Sequence, residues 1–533
     1  MGADAGWKPK HNQWAIALTV TLATFMEVLD TSIANVALPH IAGGLGASQD
    51  QATWVLTSYL VANAIVLPAS AYLTTFIGRK RFYMICVILF GASSMLCGLA
   101  PSLPLLIFFR VLQGAGGGGL QPSEQAILAD TFEPKQRGHA FAIYGMAVVA
   151  APAIGPTLGG WITDNFTWRW IFFINVPIAL LSLFLTSRLV EDPPHIVHDV
   201  KENRKHGLNL DLTGFGLLGL GFGSLEFVMD KGQEDDWFGS RIITTFIVLC
   251  VVSLIALILY ELWQIRRRRK PILDLTLFRN RNFATSFGLM FILGIALFGT
   301  TVLIPQFVQT LLGYTAERAG LVISPGGFAI MALMPLVGFL IGRVDPRYMI
   351  IFGFSITCAA LCVMHTLDLQ VSYSYIAWLR IFQASGLAFL FVPINTLSYT
   401  DIPREKNNDI SGLINLARNI GGSVGTSFLT TTLARREQFH QDRLSMYMMD
   451  QNPNFAVRVR SLSGYFSHSG GVASSAAQAN QLAMSSVYNQ MLRQASMLSY
   501  LDVIALLAAA SAAVVPLVFL MKKRPPGGKA AIH

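Results

Sequence analysis

The sequence predicts an all-α, polytopic membrane protein of about fourteen transmembrane helices, and three observations predict it. Of 533 residues, 53% are hydrophobic and only 13% charged, where a soluble domain carries about 25% charged residues, and the mean hydropathy is +0.51. Apolar runs of about 20 residues, the length that crosses a hydrocarbon layer roughly 30 Å thick, recur along nearly the whole chain. The short loops between them alternate between basic and nearly charge-free. No polar stretch is left that would make a soluble domain of any size.

The first run, at about 14–36, follows Lys8 and Lys10 as a secretory signal would. Its length and the many later spans favour a retained first helix. Five further cores follow at about 52–73, 82–100, 104–128, 139–162 and 170–190, two at about 210–229 and 241–264, and six at about 283–311, 319–341, 348–366, 374–399, 409–433 and 497–520. "GRKR" at 78–81, Lys135/Arg137, Arg204/Lys205, "RRRRK" at 266–270, Arg343/Arg347, Arg404/Lys406 and "KKR" at 522–524 all fall on one side with Lys8 and Lys10. The positive-inside rule makes that side cytoplasmic, with both termini inside. The net charge of +9 is then mostly topology. "RRRRK" beside a span reads as facing lipid headgroups rather than nucleic acid. All five cysteines lie within apolar runs, so no disulfide framework is expected. One long external segment, about 435–495, has helical composition with few breakers and predicts a helical hairpin.

The chain repeats itself. "NVALP" (35–39) is echoed by "TVLIP" (301–305), "RFYMI" (81–85) by "RYMI" (347–350), "FRVLQG" (109–114) by "LRIFQA" (379–384), and "AIGPT" (153–157) by "SVGTS" (423–427). Four echoes in order at a nearly constant offset predict a six-helix half over 1–200, two inserted helices over 201–270, and a second six-helix half over 271–533. Parallel repeats of this kind place a substrate site near the midplane between the halves.

The buried charges point to the same function. An ionised side chain at mid-bilayer costs about 2.5–3.5 kcal/mol on insertion scales, so such residues usually face a cavity and mark an ion or substrate path. Glu27 and Asp30, three residues apart, share one helix face and are candidates for proton or cation handling. Against this, Glu27 near the headgroups or merely hydrogen-bonded is the plainer reading. Arg110 is the candidate countercharge, as a moving partner or as a fixed ion pair. Gln113, Gln309, Gln383, Asn415, Arg418 and Glu226 are candidate polar contacts for a substrate; interhelical hydrogen bonds are the alternative. "GAGGGG" (114–119) lacks the strand and the Lys-Ser/Thr of a phosphate loop, so close helix packing explains it better. Absence of HExxH, nucleotide-loop and GxSxG patterns leaves a membrane-embedded enzyme weakly supported. A non-transporting scaffold has no need of costly membrane carboxylates.

"LDTSIANVALP", "GRKR", "FRVLQGAGGG", "APAIGPTLGGWI" and "WRWIFFINVPI" resemble the major facilitator superfamily, and specifically its fourteen-helix drug:proton antiporters of the EmrB/QacA type. "DKGQEDDWF", "LFRNRNF", "LLGYTAERAGL" and "GTSFLTTT" extend that resemblance over essentially the whole chain, nearest the EmrB-like members. The resemblance implies the major facilitator fold and proton-driven export of hydrophobic or amphipathic compounds across a bacterial inner membrane. The proton gradient is then the energy source and no cofactor is needed. It further implies a periplasmic adaptor and an outer-membrane channel as partners. Pro152, Gly155, Pro156, Gly159 and Gly160 fall on the antiporter motif, and Gly78, Arg79 and Lys80 on the gating loop. That loop departs from the family pattern at Ala71, Thr75 and Phe76, where the pattern has a glycine and an acidic-basic pair. Export of a siderophore, lipid or metabolite is the alternative among transporters.

Overall fold

The computed structural model describes residues 7–205, 211–267, 269, 271–449, 451–468 and 475–522. Among them the regular structure is helical. The amino-terminal half comprises α1 (Gln13–Leu45), α2 (Gln49–Ile77), α3 (Arg79–Leu99), α4 (Leu103–Thr131), α5 (Arg137–Asn165) and α6 (Trp170–Leu189). An amphipathic helix, α7 (Pro194–Lys205), then lies against α2. Next come α8 (Leu212–Lys231) and α9 (Arg241–Arg266), which pack on each other. The carboxy-terminal half holds α10 (Arg281–Thr310), α11 (Ala316–Leu340), α12 (Pro346–Met364), α13 (Tyr373–Ser398) and α14 (Asn407–Ser445). It closes with α15 (Pro453–His468) and α16 (Ala476–Val514).

Thirteen helices are long and apolar enough to cross a membrane among the described residues. The fourteenth is α14, whose 39 residues lie along α10. Asn407, Asn408, Asn415 and Arg418 make it too polar to pass a hydropathy test, and all four are buried against other helices. By contrast α9, the most apolar span, is only 22% buried inside the protein and offers its Val, Ile and Leu side chains to lipid.

The two halves repeat one pattern of packing. In the first, α1 packs on α5, α2 and α3 on α4, and α3 on α6; in the second, α10 packs on α14, α11 and α12 on α13, and α12 on α16. The halves meet along two seams, α5 against α11 and α2 against α14. Between α2 and α14 sits α8, joined to the first by Thr57 and Asp230 and to the second by Glu226 and Ser423.

Glycines set how closely these helices approach, as the sequence suggests for "GAGGGG". A Cβ on Gly114 of α4 would lie 2.3 Å from the Tyr59 carbonyl of α2, and one on Gly421 of α14 would lie 2.0 Å from the Phe291 carbonyl of α10. Within α5, residues Met146–Ala150 form a π-helical turn directly before Pro152. Proline has no N–H for the regular ladder, so the backbone rewinds there. Among its described residues the 435–495 segment is largely helical: α14 continues to Ser445, and α15 packs its Phe455 and Val459 against Ala483 near the start of α16. The last span therefore begins some twenty residues before the apolar core read from sequence.

Candidate functional site

Three buried polar clusters follow from this packing. The first lies within the amino-terminal half. Asp30 on α1 accepts from Arg110 Nη1 at 2.6 Å, Gln113 Nε2 at 3.0 Å and Asn175 Nδ2 at 2.6 Å. Arg110 also donates to the Val55 carbonyl and stacks on the Tyr59 ring, with its carbon 4.3 Å from the centroid. Both charges are essentially inaccessible, at 0% and 2% exposure.

The second cluster bridges the halves. Glu27 accepts from Tyr59 Oη at 3.1 Å, from Asn63 Nδ2 at 3.3 Å and from Gln121 Nε2. Arg418 of α14 donates to the carbonyl of the same Gln121 and, at 3.1 Å, to Tyr144 Oη. Tyr144 donates to Asn415 at 2.7 Å; Asn415 donates to Gln125 at 2.7 Å; Gln125 donates to Asn395. Carboxylate and guanidinium thus face each other through one amide rather than as an ion pair. Gln121 and Gln125 share one face of α4 at helical spacing. The glycines before them let α4 reach Glu27: a Cβ on Gly117 would stand 3.3 Å from the Glu27 Cγ.

The third cluster closes the end that carries the basic loops. Gly78, with φ of +91°, turns the chain from α2 into α3, and a Cβ there would press on Asp192 at 3.0 Å. Arg79 then pairs with Asp130 at 2.5 Å, and Asn407 of the other half donates to the same carboxylate at 2.5 Å. Asn408 donates to Thr74 at 3.0 Å across the same seam. Lys80 is held by the Asp192 carboxylate through its backbone and by the Ser187 carbonyl through its ammonium. Thr75, where the family pattern has a charge, bonds only the Tyr72 carbonyl of its own helix through its hydroxyl.

The residues singled out from sequence are thus separated. Glu27 and Asp30 share a helix face but not their partners: Glu27 is held by Tyr59 and Asn63 of α2 and by Gln121 of α4, which links it to Arg418, whereas Asp30 is held by Arg110 and Gln113 of α4 and Asn175 of α6. Gln113 serves Asp30, whereas Asn415 and Arg418 belong to the bridge. Glu226 accepts from Ser423 of α14 at 2.8 Å, beside the bridge. Gln383 lies in the core of the second half with Arg380. Gln309 is a correction: it is exposed near the end of α10 and lines none of these clusters, since it lies on the outward face of a turn whose Phe307 and Val308 face the core. Of the motif on α5, a Cβ on Gly155 would fall 2.3 Å from the Ser32 hydroxyl and one on Gly159 3.1 Å from Ile33, so both let α1 approach. Ser32 donates to the Pro152 carbonyl, and Gly160 lies against Glu317 of α11. Pro156 lies inside the same helix. Sequence reasoning passed over Tyr59, Gln121, Gln125, Tyr144, Asn175 and Asn395. Polar residues recurring every three to four positions in an apolar run were the available signal.

The model of the Major Facilitator Superfamily matches residues 20–426. The chain belongs to that superfamily. It is 36% identical to the probable multidrug resistance protein EmrY of Escherichia coli, over 96% of each chain. It is 37% identical to the multidrug export protein EmrB of the same organism, covering 86% of this chain and 88% of that one. The proton:xylose symporter XylE, solved with a bromodeoxyglucose bound, shares the fold at 15% identity, with a TM-score of 0.53 over 93% of this chain and 94% of that one. This superfamily member is a multi-pass membrane transporter.

Proposed function

We propose that this transporter is a proton-driven multidrug exporter of the bacterial inner membrane. Its basic loops and both termini then face the cytoplasm, as the positive-inside rule requires. The observation that carries the reading is the Glu27–Gln121–Arg418 bridge, a titratable link between two halves that must separate and rejoin in alternating access. Ionised Glu27 draws Gln121 and, through it, Arg418 across the junction. Protonated Glu27 has less hold on the amide, which leaves the halves free to part at that level. The Asp30–Arg110 pair has both carboxylate oxygens engaged inside one half and serves as the anchor that fixes α1 on α4. Arg79, Asp130 and Asn407 close the cytoplasmic end while the substrate is released outward.

Kinship with EmrB and EmrY supports small hydrophobic or amphipathic substrates. The helical projection made by α14, α15 and α16 is the surface we assign to a periplasmic adaptor, which leads on to an outer-membrane channel. The test is efflux of a fluorescent lipophilic cation such as ethidium from proteoliposomes under an imposed pH gradient. Uphill movement that collapses with the gradient is expected. Movement that only follows the substrate gradient overturns the reading.

A further inference from the structure

The internal repeat places three residues of the second half over the Asp30 cluster at one constant offset: Thr300 over Asp30, Arg380 over Arg110, and Gln383 over Gln113. The geometry repeats as well. Arg380 Nη1 donates to Thr300 Oγ1 at 3.0 Å and to the Gln383 amide oxygen, and Gln383 Nε2 reaches Thr300 at 3.3 Å. The carboxylate does not repeat. Arg380 is 2% exposed, its Nε has no hydrogen-bond partner, and no carboxylate pairs with it among the described residues. A Cβ on Gly326 of α11 would fall 3.0 Å from its Cγ, so the glycine is what leaves the side chain its place.

A guanidinium buried without a counter-ion is costly unless something supplies the charge. Directly beside it is an apolar cavity bounded by α10, α12, α13 and α16. Thr300 marks one end of it; Leu303, Ile304 and Phe307 carry the wall along α10, with Leu361 and Tyr500 opposite. The guanidinium stands behind Thr300, which lines the slot while its hydroxyl donates to the Ala296 carbonyl at 2.7 Å and accepts from Arg380, and this pairing of a lone positive charge with a greasy wall matches a monoanion with an apolar tail.

We propose that Thr300, Arg380 and Gln383 form a monoanion-binding site in the carboxy-terminal half, separate from the bridge between the halves. The ligand supplies the negative charge that Asp30 supplies in the other half. Charge-assisted hydrogen bonds to guanidinium give the head its affinity, and the slot takes the chain of an amphiphilic anion.

The test uses the full-length protein in phosphatidylcholine nanodiscs, with thermal inactivation as the readout. Decanoate, decanol, decyltrimethylammonium, and sodium chloride against sodium gluconate are the probes. Decanoate should slow inactivation while decanol and decyltrimethylammonium do not; chloride acting as well as decanoate assigns the site to a small inorganic anion instead of an amphiphile. Thr300→Asp installs the missing carboxylate in place and should fold at least as well as the parent while its anion affinity falls about tenfold or more. Arg380→Gln should lose the anion response too. Equal protection by all three decyl compounds, no anion response in the parent, or an unchanged response in Thr300→Asp overturns the proposal.

Discussion

Asp30→Asn and Glu27→Gln are matched neutralisations one turn apart on α1, and the structure assigns them opposite outcomes. At position 30 the carboxylate receives three donors, from Arg110, Gln113 and Asn175. An asparagine retains one acceptor oxygen and turns an NH2 donor on the others, while Arg110 stays buried at 0% exposure without its counter-ion. Removing one partner of a buried pair costs about 3–5 kcal/mol, a factor of about 10²–10⁴ in the folding equilibrium. At position 27 no cation is lost from direct contact, since Arg418 reaches Glu27 only through Gln121. Glutamine can still accept from Gln121 through its oxygen, leaving the Arg418 bond in place, while its NH2 meets the Tyr59 hydroxyl, which can accept, so the cost is about 1 kcal/mol. Detergent-solubilised protein unfolds irreversibly, so stability is read as half-life at fixed temperature, beside uphill efflux in proteoliposomes. Asp30→Asn should shorten the half-life severely and lose transport with it. Glu27→Gln should keep the parent's half-life and downhill exchange yet lose uphill efflux. A fully stable Asp30→Asn protein that binds substrate but cannot couple would make Asp30 the proton carrier and refute the assignment; so would normal coupling by Glu27→Gln.

Three other outcomes are expected. Gly114→Val should abolish monodisperse protein, because its side chain would enter the Tyr59 backbone, whereas Gly216→Ala, with nothing within 4 Å, should be silent by size-exclusion yield. Burial alone would raise the Asp274 carboxyl, but the Lys406 ammonium at 2.6 Å and the Thr276 hydroxyl and amide hold it below its ordinary value. A depressed carboxyl contributes stability above its unfolded value near 3.9 and loses it as pH falls through the folded value; Lys406→Met should therefore cost about 1 kcal/mol or less at pH 7 and nothing at the acid limit, by inactivation half-life across pH. Deleting residues 453–468 should spare efflux in proteoliposomes and abolish drug resistance in whole cells; equal loss in both assays would make α15 a folding element rather than a docking surface.

The spans were legible because hydrocarbon imposes a length, and α14 was legible despite its polarity because Leu413, Ile414, Leu416 and Ala417 keep an apolar run around Asn415 and Arg418. Two kinds of information were not. A helix boundary that continues into water carries no hydropathy signal, so the start of α16 at Ala476 rests on its packing with α15. The partners of a buried polar residue depend on helix rotation and on which neighbour comes close. Glu27 and Asp30 occupy one stripe in the sequence, yet the glycines of α4 bring Gln121 under one of them while Arg110 from the preceding turns takes the other. Gln309 failed for the same reason, since an amide in an apolar run says nothing about the face it occupies.

The repeat explains why the charges divide as they do. Each half builds its core on the same arginine-glutamine step, Arg110 with Gln113 and Arg380 with Gln383, and the first half neutralises its arginine internally with Asp30. Its further buried carboxylates are Asp130, paired with Arg79, Glu27, linked through Gln121 to the junction, and Glu124, bonded by the Thr21 hydroxyl at 2.5 Å. The second half places Arg418 at that junction and leaves Arg380 without a carboxylate. Beside the ion pairs sealed within the first half, one acid therefore faces one base across the seam, through Gln121. An attraction of that kind depends on the spacing of the halves and on one proton, whereas the Asp30–Arg110 pair, sealed inside one half, keeps its geometry through any rigid-body motion. On the proposed function the group that senses the proton lies on the moving boundary, and among the described membrane carboxylates Glu27 is the one tied by one amide to a cation of the opposite half.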